Sequence, residues 1–418
     1  MINYTSFFLD NGLQVIVHED PNVQNVVMNI AYFVGSRDEN ENKTGFAHLF
    51  EHLMFGGSAN IGSYDEPLQK VGGENNAFTT PDYTNYYLSV PSVNIETAFW
   101  LESDRMLGLS FDPKVLEVQR KVVIEEFKQR YLNKPYGDAW LHLRPLAYKV
   151  HPYRWNVIGK EISHIEEATM EDVKNFFYTY YRPNNAVLVV AGNTTTEEVK
   201  RLSEKWFGPI PSGPEIMRNI PKEPEQTERR VKSVSAEVPQ NVLYKVFKMP
   251  GRFEEGFFAA DLLSDLLGRG KSSGLYQGLV REKQLLSSVS AGTLGTLDTG
   301  LMIITGQMNE KVSFETVEHE INQILESVKN GDFSEEELAK VKTQAETVLS
   351  FSRVDMYEKA YLLAFYALGR GDVDRVNRDL EEINKVGKND IIAIANKVLN
   401  DKNASVLNYH AKKEGLSE

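Results

Sequence analysis

Prolines are concentrated in one short segment of this chain, between Gly208 and Glu225, which contains five of its 16 prolines. Proline fixes φ and has no backbone N–H, so such a segment stays extended and cannot continue a helix. A chain of 418 residues also exceeds the length that one hydrophobic core usually supports. We therefore expect an N-terminal domain over residues 1–207, a linker over 208–225 and a C-terminal domain over 226–418.

Both halves of the chain alternate short apolar runs with long amphipathic helices, in a similar order. At the N-terminus, Asp10-Asn11-Gly12 separates Thr5–Leu9 from Leu13–Val17 and predicts a β-hairpin. The repeated order predicts duplicated domains of one fold, of the α/β or α+β class. The other predicted strands are Val26–Phe33, Tyr86–Val90, Val187–Val190, Asn241–Phe247, Met302–Gly306 and Ser405–Tyr409, and the predicted helices are Asp112–Leu132, Thr196–Phe207 and Ser334–Phe351.

Composition excludes several functional classes. The net charge of −13 argues against a nucleic-acid-binding protein, because phosphate binding needs a basic surface. The absence of cysteine excludes disulfides, thiolate zinc sites and cysteine nucleophiles, so any metal must be held by histidine and carboxylate. No basic and apolar leader precedes Asp20, and no apolar run approaches the ~20 residues of a membrane span. We expect a cytoplasmic protein that does not cross a membrane.

The pentad His48-Leu49-Phe50-Glu51-His52 carries the strongest chemical signal. It lies in an apolar, proline-free segment that stops at two glycines, which predicts a helix. On a helix, His48 and His52 point to the same side, and Glu51 lies beside them. This is the inverted form of the zinc-protease signature, in which zinc lowers the pKa of a water to about 7 and the carboxylate accepts its proton. The alternative is a core helix with two hydrogen-bonded histidines and a surface glutamate.

Two histidines leave a zinc ion short of a third protein ligand. The helix that begins at Asp112-Pro113 offers one, because at 100° per residue Glu126 falls near the centre of its apolar arc and Glu125 falls on the flank. An ionised glutamate in a buried stripe is destabilising unless a cation compensates it. The cation could be zinc or the guanidinium of Arg130 on the same stripe. The arc consists of Val115, Leu116, Val122, Val123, Phe127 and Tyr131.

Several segments in the same order resemble the pitrilysin or insulinase (M16) zinc peptidases, and most closely the half-length branch that includes the mitochondrial processing peptidases and their bacterial relatives. The resemblance implies His48, His52 and Glu126 as ligands of one zinc ion per chain and Glu51 as general base. It also implies two α+β domains, each an antiparallel β-sheet packed with α-helices. The segments are Gly45–Phe55, Asn76–Thr79, Thr84–Tyr87, Val122–Glu126, His151–Tyr153, Ile158-Gly159 and Tyr180–Asn185.

The sequence departs from the family pattern at two places. Gln119 stands where the family usually has a supporting glutamate, one heptad before the ligand Glu126. In the C-terminal half, the family's arginine is present as Arg281, but Ser288 stands where a substrate-binding tyrosine is expected. In the family, this tyrosine is expected to donate a hydrogen bond to the oxyanion that forms when the peptide carbonyl is attacked. Loss of one such donor typically lowers the rate about a hundredfold or more.

In the half-length branch that this chain resembles, some members work as heterodimers, and together with Ser288 this resemblance implies an assembly of two subunits. We expect a zinc metalloendopeptidase that is the zinc subunit of a heterodimer, whose partner supplies the arginine and tyrosine. The alternatives are a homodimer that uses Arg281 alone or a nearby hydroxyl such as Tyr276, and a catalytically silent scaffold or binding subunit.

The glycine-rich turn Gly72-Gly73 leads into a strand that carries Asn76, Ala77, Phe78 and Thr79. In the family that this chain resembles, the equivalent strand is an exposed edge that pairs with an extended peptide beside the zinc. Main-chain pairing gives affinity with little sequence preference, which suits small or unfolded peptides. Without the resemblance, an ordinary hairpin would explain this segment equally well.

Overall fold

The structure is a computed structural model that describes residues 1–412. Its strands, in chain order, are β1 (Thr5–Phe8), β2 (Gln14–Glu19), β3 (Asn25–Tyr32), β4 (Glu74–Thr79), β5 (Thr84–Pro91), β6 (Ala186–Gly192), β7 (Arg230–Ala236), β8 (Val242–Met249), β9 (Leu286–Leu294), β10 (Gly300–Met308) and β11 (Ala404–Ala411).

The α-helices follow the same chain order, with short 3₁₀ and π turns between them. They are α1 (Phe46–Leu53), α2 (Asp65–Lys70), α3 (Ile95–Leu107), α4 (Pro113–Phe127), α5 (Ala139–Ala147), α6 (Ile162–Glu166), α7 (Met170–Tyr180), α8 (Thr196–Trp206), α9 (Phe257–Gly268), α10 (Phe314–Lys329), α11 (Glu335–Ser352), α12 (Met356–Arg370), α13 (Asp379–Lys385) and α14 (Lys388–Val398).

The chain forms two compact units. Unit 1 consists of Met1–Phe127, Trp155–Ile220 and Ser350–Arg378. Its six-stranded sheet has the order β1-β2-β6-β3-β5-β4, in which β2 and β6 are parallel and the other neighbours are antiparallel. The apolar strand β6 is buried along its whole length in the middle of this sheet, and α12 packs against β3 and β6. This unit therefore takes one of its covering helices from late in the sequence.

Unit 2 consists of Lys128–Arg154, Pro221–Leu349 and the chain from Asp379 onward. Its five-stranded sheet has the order β7-β11-β8-β10-β9, in which only β7 and β11 are parallel within the described chain. Helices α9 and α14 pack on this sheet and share a core with α10, while α5 packs against β7, β8 and β11.

The α+β architecture with two sheets is confirmed, and the predicted strands and helices coincide with observed elements to within a few residues. The sheets are mixed rather than wholly antiparallel. Each contains one parallel pair, which needs a long crossover between its strands and cannot be recognised from a single strand's residues. The predicted helix over Asp112–Leu132 ends as an α-helix at Phe127 and continues as a π-helical turn, Lys128–Leu132.

The prediction that Val122 belongs to the buried apolar arc of this helix was wrong. Val122 is 44% exposed, whereas its neighbour Val123 is fully buried. The buried residues of α4 are Leu116, Val123 and Phe127, which form a narrower stripe than the ideal helical projection predicts. Helix α4 packs against α1 and α6. Among residues 1–412, no helix combines the length and apolar character needed to cross a membrane.

Candidate metal centre and adjoining strand

Helix α1 presents its apolar side to the core of unit 1 and its polar side to the site. Phe46, Ala47, Leu49, Phe50 and Leu53 are buried. The ring of Phe50 lies 4.7 Å from that of Tyr181, centroid to centroid. Since this apolar set fixes the rotation of the helix, His48, Glu51 and His52 lie together on its partly exposed side.

The start of α1 is held by the carboxylate of Glu39, which lies six residues before Gly45 in the chain. Glu39, which is buried, accepts hydrogen bonds from the backbone N–H of Gly45 (3.0 Å) and of Ala47 (2.8 Å). Burial raises the pKa of Glu39 to about 8, although the two N–H donors act in the opposite direction. A carboxyl group at this position satisfies N–H groups that have no partner inside the helix and so fixes where α1 begins.

The two imidazoles of α1 face the carboxylate of Glu126 on α4. Glu126 Oε2 lies 3.5 Å from His52 Nε2 and 3.8 Å from His48 Nε2, and the imidazole rings are 4.9 Å apart. One ligand atom from each of the three residues lies within 4.8 Å of the others. All three side chains are only 13–24% exposed.

These separations fit a metal ion better than direct hydrogen bonds. An N–H···O hydrogen bond is usually 2.7–3.2 Å long. Tetrahedral zinc with bonds of about 2.0–2.1 Å holds neighbouring ligand atoms about 3.4 Å apart. Two imidazoles and a carboxylate are also a usual donor set for zinc at a catalytic site with one open position. The predicted ligands His48, His52 and Glu126 therefore come together in a geometry suited to zinc.

Glu51 makes a contact that the sequence did not predict. The hydroxyl of Thr79, the last residue of β4, donates a hydrogen bond of 2.5 Å to Glu51 Oε2. Beneath the site, the hydroxyls of Tyr86 and Tyr181 lie 3.0 Å apart. Burial, with a smaller contribution from the charge of Glu51, raises the pKa of both tyrosines well above the ordinary value. Both phenols therefore stay neutral beside the carboxylate.

Strand β4 lies at the edge of the sheet of unit 1, next to α1. Its side chains alternate between two faces. Thr79 faces α1, whereas Phe78 packs against Tyr361 of α12 with a ring separation of 5.7 Å. Asn76 is exposed, and Ala77 is partly buried. The four residues of β4 that were predicted to bind substrate thus lie along a sheet edge next to α1.

The remaining predicted residues lie elsewhere. Gln119 is partly buried on α4, two helical turns before Glu126. In unit 2, Arg281 is exposed in the π-helical turn Tyr276–Glu282, and its guanidinium reaches Gln277 at 3.5 Å. Ser288 lies in the edge strand β9 and donates a 3.0 Å hydrogen bond to Gln307 of β10.

Two family profiles match the chain. The profile described as insulinase (peptidase family M16) matches residues 14–142. This range includes His48, Glu51, His52 and Glu126. The profile described as the peptidase M16 inactive domain matches residues 167–345, most of which lie in unit 2.

Relatives match along nearly the whole chain. The zinc protease PqqE of Helicobacter pylori is 31% identical over 404 residues, covering 95% of this chain and 90% of the relative. Mitochondrial-processing peptidase subunit beta of Saccharomyces cerevisiae is 25% identical over 418 residues, covering 96% and 89%. The crystal structure of a protease from Helicobacter pylori has a TM-score of 0.91 at 29% identity, covering 98% of this chain and 100% of that chain.

The fold with two mixed sheets and the sequence of this chain are thus similar to those of known peptidases. The chain is a member of the insulinase family, peptidase family M16. The resemblance inferred from the sequence motifs is confirmed.

Proposed function

We propose that this chain is a zinc-dependent metalloendopeptidase that hydrolyses small or unfolded peptides. The proposal depends on one observation: the carboxylate of Glu126 lies 3.5 Å from His52 Nε2 and 3.8 Å from His48 Nε2, close enough for all three to bind one metal ion. Glu51 lies on the same face of α1 as the two histidines. The names of the relatives, which include a zinc protease 31% identical to this chain, agree with it.

His48, His52 and Glu126 would hold the zinc ion, which when bound polarises a carbonyl and lowers the pKa of water. Glu51 lies one residue before His52 and is positioned to accept a proton from the attacking water. It then passes that proton to the amide nitrogen as the peptide bond breaks, so the products are a free carboxylate and a free amine. The hydroxyl of Thr79 donates to Oε2 of Glu51 and so orients the carboxylate that takes up this proton.

An extended peptide would bind along β4. The outer edge of this strand carries backbone N–H and C=O groups, and the next strand inward is β5. Pairing through these groups needs an unfolded segment and reads little of its sequence. Asn76, Ala77, Phe78 and Thr79 supply this edge, which is why folded proteins are poor candidates for substrates.

We further propose that the chain works as the zinc subunit of a heterodimer. Ser288 occupies the position where the family pattern has a tyrosine, and a serine hydroxyl is too short to replace a phenol there. A partner of the same family would supply the arginine and tyrosine that contact the substrate. The similarity to a protein named as the beta subunit of a processing peptidase supports this arrangement.

Metal analysis and peptide cleavage test the proposal. The purified chain should hold near one zinc per chain, and His48→Ala should lose it. Glu51→Gln should keep the metal and lose cleavage of an unstructured, internally quenched peptide, because an amide cannot accept the proton. The exposed His319 lies on α10 in unit 2, so His319→Ala serves as the matched control and should change neither quantity.

The same measurements separate the alternatives. Full peptidase activity of the chain alone would contradict the heterodimer and favour a self-sufficient homodimer. Absence of bound zinc under metal-replete conditions would contradict the enzyme and favour a silent scaffold. Co-purification of the native complex identifies the partner.

A further inference from the structure

The carboxylate of Glu51 is held by a residue from a different element. Thr79 lies 28 positions later in the chain, and its Oγ1 lies 2.5 Å from Glu51 Oε2. Hydrogen bonds from a hydroxyl to a carboxylate are short, typically 2.5–2.7 Å, and about twice as strong as those between neutral groups. The contact is therefore a strong constraint on the orientation of this side chain.

The backbone that carries Thr79 is itself well fixed. Thr79 pairs in register with Thr84 of β5, and the buried hydroxyl of Thr84 donates a 2.9 Å hydrogen bond to Val34 O. The next residue, Thr80, closes the turn to β5 through its backbone N–H to Tyr83 O, also at 2.9 Å. A β-branched side chain on such a backbone has few χ1 rotamers available. The Oγ1 of Thr79 thus points at Glu51 from a rigid support.

Strand alternation gives this threonine a role distinct from its neighbours. Phe78 faces α12 and contacts Tyr361, so its side chain is on the opposite side of the sheet from Glu51. The side chain of Thr79 faces α1 and reaches the carboxylate. A residue that the family pattern groups with substrate binding therefore has its hydroxyl committed to the general base.

We propose that Thr79 is a positioning residue for the peptidase reaction. It holds Oε2 of Glu51 and so fixes the orientation of the carboxylate toward the attacking water, and it keeps its own hydroxyl proton throughout. Because the hydroxyl of Thr79 acts on Glu51, we expect its effect on the rate of the chemical step rather than on metal or peptide affinity. This inference rests on the proposed peptidase function.

The test compares three variants with the wild-type chain on one internally quenched peptide. Thr79→Val keeps the shape and strand propensity but removes the donor, and should lower kcat by about ten- to a hundredfold with KM unchanged within about twofold. Thr79→Ser restores the donor and should recover most of kcat. Thr5→Val makes the same change on β1, at the opposite edge of the same sheet, and should alter neither constant.

Two further measurements exclude a merely structural effect. Zinc content and the visible spectrum of the cobalt-substituted protein should be the same in Thr79→Val as in the wild type, because the ligands are untouched. In a double-mutant cycle, Glu51→Asp shortens the base so that it no longer reaches Thr79, and adding Thr79→Val to it should lower kcat no further.

An unchanged kcat in Thr79→Val, a loss that serine does not restore, or full additivity with Glu51→Asp would each overturn the inference while leaving the peptidase proposal intact. Absence of cleavage by the zinc-loaded wild type, with its partner present, would overturn both.

Discussion

The two units share one sheet topology but carry different chemistry. In unit 1 the strand order β2-β6-β3-β5-β4 begins with a parallel pair and ends at an antiparallel edge, and β1 is added outside it. In unit 2 the order β7-β11-β8-β10-β9 has the same pattern of parallel and antiparallel neighbours. The predicted duplication is therefore visible in the topology, although the two halves have little residue identity.

The contrast is sharpest at the first α-helix after the equivalent strands β3 and β8. Both α1 and α9 begin at a glycine in the left-handed conformation, Gly45 with φ 85° and Gly256 with φ 89°. Each glycine is followed by a phenylalanine. Counted from the glycine, the positions of His48, Glu51 and His52 in α1 correspond to Ala259, Leu262 and Leu263 in α9.

Those three residues of α9 are buried, with exposures of 5%, 1% and 0%. The same helical position thus serves the hydrophobic core in unit 2 and the candidate metal centre in unit 1. This difference shows that the fold supplies the scaffold, whereas a few side chains on one helix supply the chemistry. It also agrees with the match of much of unit 2 to a profile described as inactive.

The largest expected effect comes from exchanging one residue between the two helices. Leu262→Glu places a carboxylate in the core of unit 2 and should lower the free energy of unfolding by about 4 kcal/mol or more. Glu51→Leu, on the partly exposed side of α1, should lower it by about 2 kcal/mol at most, because it loses the hydrogen bond from Thr79. Denaturant unfolding with a chelator present measures both, because bound metal would add its own stabilisation.

Leu262→Met keeps the volume and serves as the control, with an expected loss below about 1.5 kcal/mol. If Leu262→Glu unfolds at the same denaturant concentration as Leu262→Met, the position is not core and the contrast between the helices disappears.

Local patterns in the sequence were sufficient for most elements and for the pentad. Strand β3 and helix α8 were predicted because their periodicity lies within a single element. Glu126 was predicted as a ligand by its place on α4 and by family resemblance, and the structure brings it to the histidines. The exposed position of Val122 was missed because the ideal projection assumes a broad apolar stripe.

Contacts between distant segments could not be predicted in this way. The hydrogen bond of Thr79 with Glu51 joins a strand and a helix at positions 28 residues apart in the sequence. The placement of α12 in unit 1 and of α5 in unit 2 likewise depends on tertiary packing. Such contacts arise only when separate elements fold onto one another, so a single sequence carries no local signal for them.

The two capping glycines provide an intermediate effect. An added Cβ at Gly45 would lie 2.6 Å from Ile158 O, a backbone atom that cannot move easily. At Gly256 the nearest atom would be the flexible Ile394 Cδ1, at 3.2 Å. Both substitutions to alanine impose a left-handed penalty of about 1–2 kcal/mol. Only Gly45→Ala adds a clash with backbone. It should therefore lower the free energy of unfolding by about 1–3 kcal/mol more than Gly256→Ala does.

Thermal and denaturant unfolding of the two alanine variants measure this difference. Equal losses would indicate that the α1 cap has room to relax and that the two helix starts are interchangeable.

The smallest expected effect at any single pH lies at the start of α1, where the effect also depends on pH. The pKa of Glu39 is about 8 in the folded chain, above its ordinary value of 4.5. Between pH 4.5 and about pH 8, Glu39 is therefore protonated in the folded state but ionised in the unfolded state. The stability that this protonation contributes is present in full below about pH 4.5 and is lost as the pH rises through 8.

Glu39→Gln removes this titration but keeps a neutral side chain of similar shape. It loses one acceptor for the N–H groups of Gly45 and Ala47, so at pH 5.5 it should be less stable than the wild type by about 1 kcal/mol. As the pH rises to 9, Glu39 of the wild type loses its proton, and the difference in stability between the wild type and Glu39→Gln should close or reverse.

The control lies in unit 2. Glu254 lies beside the start of α9 but is exposed, and it accepts a hydrogen bond from the Gly251 N–H, outside the helix. Glu254→Gln changes a carboxylate whose hydrogen bond lies outside the helix and so serves as the matched control. A difference between Glu39→Gln and the wild type that stays constant from pH 5.5 to 9 would contradict the predicted pH dependence.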